Sequence, residues 1–122
     1  MSISTELRIW GDDSWSEICG VAIAKPDTRV IVAGRDMRST VAVVERAFAK
    51  DCNGAEYRKS DHLIKWPNGS TLYLAWVDLV WNLQGYVVDF VWCVDPWTWQ
   101  PREQAERLTQ TLVSALHRRN LP

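Results

Sequence analysis

The sequence predicts an α/β fold: a single three-layer-like domain over residues 1–122, built on a mixed sheet with a β-hairpin and about three helices. Three observations predict it. A β-branched run at residues 29–33 is followed at once by a helical stripe, which is half of a βαβ unit. Asn68-Gly69 separates two apolar runs, the pattern of a tight hairpin. A nearly continuous apolar stretch at residues 87–94 precedes a long amphipathic segment.

Glu6-Leu7-Arg8-Ile9-Trp10 reads as a short strand with Leu7 and Ile9 on one side, and Gly11-Asp12-Asp13 as a turn. Ser14-Trp15-Ser16-Glu17 has the S-x-x-E spacing of a capping box. Trp15, Ile18, Cys19 and Ala22 follow at helical spacing until Pro26 stops the helix. Arg29-Val30-Ile31-Val32-Ala33 has the composition of a strand buried on both faces. Met37, Val41, Val44 and Phe48 then form the buried stripe expected of a second helix.

Residues 62–66 and 71–76 are the two strands of the hairpin, joined by Pro67-Asn68-Gly69-Ser70 with positive φ expected at both Asn68 and Gly69. Residues 78–85 read as a loop or short helical turn. Residues 87–94 form a central strand closed by Asp95. Asp89, inside that run, fits an edge, a bulge or a hydrogen-bonded structural acid better than a catalyst. Pro101 opens the last helix, with Ala105, Leu108, Leu112, Ala115 and Leu116 as its buried stripe. Glu103 and Glu106 near its start and His117, Arg118 and Arg119 near its end suit the helix dipole.

Composition excludes several function classes. Apolar residues make up 47%, enough for a packed core. With 14 basic and 15 acidic residues the formal charge is −1, so no global field draws the chain to nucleic acid or an anionic membrane. Cys19, Cys52 and Cys93 show no paired spacing, and His62 and His117 lie far apart, so neither a zinc site nor a disulfide framework is expected. Cys19 and Cys93 read as core residues. No apolar stretch reaches the ~20 residues of a membrane span, and residues 1–9 lack a signal-peptide run. A reducing, cytoplasmic setting is the expectation. Eight tryptophans are far above ordinary usage, and five lie between positions 76 and 99, so some of these rings are expected on the surface.

Residues 63–96 resemble part of the ATPase domain of phage terminase large subunits, the DNA-packaging motors. The resemblance is carried by Leu63-Ile64-Lys65-Trp66-Pro67-Asn68-Gly69-Ser70, then Asn82-Leu83-Gln84-Gly85-Tyr86, then Val91-Trp92-Cys93-Val94-Asp95. Residues 29–48 resemble the second strand and helix of the same core. Two departures matter more. Where that family has a phosphate-binding G-x-x-x-x-G-K-[ST], this chain has Ile9-Trp10-Gly11-Asp12-Asp13-Ser14. Two aspartates would repel a triphosphate, since like charges about 4 Å apart interact by several kcal/mol at an effective dielectric of ~20. The glutamate that would follow the metal-site aspartate is Pro96. Both losses imply a relative that does not hydrolyse nucleotide, with no cofactor.

Asp95, at a strand end, is a candidate metal or partner site together with Asp12, Asp13 or Asp78. Its bland alternative is a solvated loop carboxylate. Asp61-His62 is not a dyad by adjacency, since neighbouring strand residues face opposite ways. Trp97-Thr98-Trp99 between Pro96 and Pro101 is the most suggestive segment, and Trp81 joins it as a candidate anchor for a protein partner. The alternative is that these rings cover the end of the core. Arg35, Arg38, Arg46, Lys50, Arg58 and Lys59 could gather into a basic strip, with Arg35 and Arg38 as nucleic-acid contacts; a solvated helix face is the alternative. The reading that results is a phage-related binding or regulatory domain acting on a protein, whether a motor subunit, a host protein or a second copy. Its competitors are a metal- or nucleotide-dependent enzyme using Asp95, and a nucleic-acid-binding module.

Overall fold

Val30, Ile31, Val32 and Ala33 are all fully buried, so the strand they form must be covered on both faces. A computed structural model describes residues 7–52, 54–78 and 87–120, the last four by backbone alone, and shows how this is done. The elements run β1 (Leu7–Ile9), α1 (Ser14–Ala24), β2 (Arg29–Gly34), α2 (Met37–Lys50), β3 (Glu56–Arg58), β4 (Leu63–Lys65), β5 (Thr71–Trp76), β6 (Phe90–Cys93) and α3 (Arg102–Asn120). Short 3₁₀ turns, Lys59–Asp61 and Pro96–Thr98, precede β4 and α3.

The sheet has six strands in the order β1-β6-β2-β5-β4-β3. β1, β6, β2 and β5 are parallel, while β4 and β3 run antiparallel as a hairpin extension. Alternation along β2 splits the core in two. Val30 and Val32 pack with Trp15, Ile18, Ala22 and Val44 from α1 and α2 on one face. Ile31 and Ala33 pack with Leu108, Leu112 and Leu116 of α3 on the other. The expected α/β domain with a mixed sheet and three helices is what these residues build.

Gly34 lets the layers close at the end of β2, because a Cβ there would strike the Thr40 side chain in the first turn of α2. The 66–70 hairpin plays a different part from the one its dipeptide suggests. Gly69 has φ +92, but Asn68 is not among the positive-φ residues. The Gly69 amide donates to the Trp66 carbonyl at 3.0 Å and the Trp66 amide to the Ser70 carbonyl at 2.9 Å. Pro67 and Asn68 therefore occupy a type I-like turn followed by a glycine bulge, a three-residue loop rather than a two-residue one. Pro67 presets the first φ, and Asn68 is free to face inward.

What it faces is the end of α1. The Asn68 side-chain amide donates to the Ala22 carbonyl at 2.8 Å, and the Ser70 hydroxyl lies 2.8 Å from Ala22 O and 3.0 Å from Lys25 O. Those carbonyls have no partner within the helix, so Pro-Asn-Gly-Ser is its C-terminal cap, delivered from a distant hairpin.

Three local expectations are corrected. Asp13, not Ser14, is the N-cap of α1, and it makes no side-chain cap bond. Ser14 is buried and its hydroxyl accepts from the Gly11 amide at 2.8 Å, pulling the serine into the loop and away from the capping box. On α2, Val44 is buried but Met37 is 48% exposed, so the buried face is centred on Thr40 and Val44. The last strand covers Phe90–Cys93, shorter than residues 87–94. Asp89 precedes it, its carboxylate accepting the Arg29 amide at 2.9 Å, a structural acid as expected.

Candidate functional site

Four parallel strands end on one side of the sheet, and each is followed within a few residues by an aspartate: Asp12, Asp36, Asp78 and Asp95. This is the end at which open α/β sheets bind ligands. The crevice falls beside β6, whose chain leaves toward α3 while β1 and β2 leave toward α1 and α2.

The loop after β6 is the most strongly shaped part of this end. Asp95 holds φ +45, a left-handed conformation that turns the chain sharply out of the strand. Its carbonyl then accepts from the Thr98 amide at 2.9 Å and the Thr98 hydroxyl at 2.7 Å. Pro96 sits in the first turn of the 3₁₀ segment, and the Trp99 amide closes it on Pro96 O at 3.2 Å. Trp99 turns inward: it is 6% exposed, packs in the α3-side core, and donates its indole N–H to Val94 O at 3.0 Å. Trp97, two residues earlier, turns outward and is 74% exposed. The two rings expected to act together are thus divided. Trp99 covers the core and Trp97 is left on the surface, on a turn pinned from both sides.

A groove of about 770 Å³ opens beside this turn, between α1 and the C-terminal half of α2. Trp10, Trp15, Val43 and Val94 supply apolar walls, and Asp12, Asp51 and Asp95 face Arg46 and Lys50 around it. The Trp15 indole donates to the Asp51 carbonyl at 2.8 Å, tying the end of α2 to the start of α1. Asp12 and Asp95 therefore line one groove, while Asp13 stays at the cap of α1. Among the described residues no three His, Cys, Asp or Glu side chains come together in a way that could hold a metal ion.

The loop where a phosphate cradle would lie spends two of its amides, those of Gly11 and Ser14, on itself. Gly11 N–H goes to Ser14 Oγ at 2.8 Å, and Ser14 N–H to Gly11 O at 3.1 Å. A cradle needs those donors free and converging on the ligand.

The basic residues do not form one strip. Arg35 is held by Asp36 at 3.1 Å and by Ser39 Oγ at 2.9 Å. Arg46 and Lys50 border the large groove, whereas Arg38 and Lys59 border a second one on the other flank of α2. Arg58 pairs with Glu56 at 3.5 Å. Trp81 and the 82–86 motif lie outside the described residues. Of the cysteines, Cys19 and Cys93 are buried as expected, and burial pushes the Cys93 thiol up to about 12. Among the described residues no helix is long and apolar enough to cross a membrane.

No protein-family profile, curated protein or solved structure matches this chain. The terminase resemblance accordingly rests on sequence motifs alone, and one of them, Pro-Asn-Gly-Ser, has a full structural explanation as the cap of α1.

Proposed function

We propose that this chain is a non-catalytic, protein-binding domain that grips its partner with Trp97. The observation carrying this reading is the pairing of a 74%-exposed tryptophan with a turn fixed on both sides by Asp95, Thr98 and the buried Trp99. An exposed indole held in place loses little entropy on docking, and such residues dominate interface energies. The Gly11 and Ser14 amides bonded within the loop between β1 and α1, with Asp12 and Asp13 in place of phosphate-binding residues, support a role without nucleotide hydrolysis. A packaging-motor ATPase that has lost hydrolysis is the origin we propose for such a domain, on the sequence motifs. The partner is then a phage or host protein, or a second copy of this chain.

The test is retrieval of partners with the wild-type chain and with Trp97→Ala, combined with sedimentation of the purified proteins. A protein or a self-associated species present with wild type and absent with Trp97→Ala supports the proposal. The same set retained by both variants overturns it.

A further inference from the structure

At the other edge of the sheet, α2 presents a side that the core covers only in part: Val41 is half-buried against the Trp15-side core, while Met37 and Ala42 are exposed. Met37, Val41 and Ala42 lie on one side of the helix and floor an open groove of about 450 Å³. Arg38 and Glu45 stand at its rim on α2, and Tyr57, Lys59 and His62 form the opposite wall. Met37 is 48% exposed here, an apolar side chain with no core to enter.

Tyr57 belongs to β3, the terminal strand of the sheet. A terminal strand turns a row of amides and carbonyls away from its neighbour, where another strand can pair. The groove therefore runs between a helix and a terminal strand whose outer edge pairs with no other strand among the described residues.

Its charge is unbalanced. Glu45 is engaged twice, accepting from the Tyr57 hydroxyl at 3.0 Å and pairing with Lys59 Nζ at 3.7 Å. Arg38 has no ion-pair or hydrogen-bond partner among the described residues. His62 is held at φ +54 with its ring edge-on to Trp76, and its buried Nδ1 has no hydrogen-bond partner.

We propose that this groove binds an extended acidic–aliphatic peptide segment, which adds alongside β3, lays an aliphatic side chain on Met37, Val41 and Ala42, and sets a carboxylate on Arg38. The strand period of two places that carboxylate two residues from the aliphatic side chain. A nucleic acid fits less well, because the floor is aliphatic and the rings on the wall are engaged, Tyr57 with Glu45 and His62 edge-on with Trp76. This surface is separate from Trp97, so the two readings stand or fall independently.

The test is a ¹⁵N-resolved NMR titration of the full chain with acetyl-Glu-Thr-Leu-Thr-Glu-amide, whose symmetry presents a carboxylate to Arg38 in either strand direction. The expected result is saturable shifts confined to residues 37–45 and 56–62, with a Kd of about 1 mM or tighter. Arg38→Glu, at an exposed position, should weaken binding by about tenfold while leaving the spectrum folded, and the lysine analogue of the peptide should not bind. No shifts, shifts scattered elsewhere, equal binding of the lysine peptide, or binding of oligothymidylate in place of the acidic peptide would each overturn the proposal.

Discussion

At Asp36 a single side chain closes the first turn of α2. Its carboxylate accepts the Ser39 amide at 2.7 Å, while its carbonyl accepts from the Thr40 amide and hydroxyl at 3.1 and 2.7 Å. The hydrogen bonds from the Ser39 amide and then the Ser39 hydroxyl hold the carboxyl below its ordinary 3.8; partial burial opposes them, and Arg35 adds a lesser pull downward. The unfolded chain therefore binds this proton more tightly. The stabilisation is full above 3.8 and is lost as pH falls through the lowered native value. Asp36→Ala should cost ~0.5–2 kcal/mol near neutral pH, and the gap to wild type should narrow in acid. Urea midpoints across that range measure it; a gap that stays constant or widens in acid would refute the capping role. Gly69 is the other decisive single residue. Its φ of +92 suits glycine, and a Cβ would also strike the Asp27 carboxylate, so Gly69→Val should destabilise the domain by more than ~1 kcal/mol, read as a lower urea midpoint.

Among the elements, the hairpin 66–70 has the widest reach, because α1 depends on it. Ser70 is fully buried; its hydroxyl shares a proton between the Ala22 and Lys25 carbonyls and accepts the Thr28 amide at 3.1 Å. Ser70→Ala leaves the buried Thr28 amide without its acceptor, and leaves the Ala22 and Lys25 carbonyls with only the Asn68 amide and the Thr28 hydroxyl, so it should cost ~1–3 kcal/mol, with hydrogen exchange accelerated first at the end of α1. An unchanged midpoint would show that water replaces the hydroxyl. The elements that sequence reveals are those whose own periodicity decides them. β2 is apolar from Val30 to Ala33, and α3 buries Leu108, Leu112 and Leu116 in the expected phase. β3 is invisible by that criterion: Glu56-Tyr57-Arg58 is short and charged, and only pairing with Leu63–Lys65 makes it a strand. Ser14 fails as a cap for a related reason, since the spacing fits but a loop amide competes for its hydroxyl. Met37 matched the helical stripe in spacing alone, and which face α2 buries is settled by the sheet beneath it. The 96–101 loop was legible as a special segment. The division of labour between Trp97 and Trp99 was not, because it depends on Val94 O and the α3 core, both remote from any local pattern.

For the molecule as a whole, two cores separated by one sheet leave few reactive or adhesive groups outside. Cys19 and Cys93 are buried and Cys52 is exposed, so a thiol reagent should modify Cys52 alone in the native protein and all three on denaturation. Rapid native labelling of more than one thiol would show that the cores open easily. Trp97 is the most exposed of the large hydrophobic residues described, and its role separates from that of Trp99 by energetics. Trp99→Ala empties a core position and loses a buried hydrogen bond, which should cost ~3–5 kcal/mol of stability. Trp97→Ala removes a ring that little of the fold touches, so its midpoint should stay near wild type. The most direct measurement is the affinity of the retrieved partner for wild type and for Trp97→Ala, made alongside that midpoint. A loss of about 2 kcal/mol or more, roughly thirtyfold in Kd, in a protein of undiminished stability is the result expected of a surface anchor. Unchanged affinity, or a stability loss as large as that of Trp99→Ala, would contradict it.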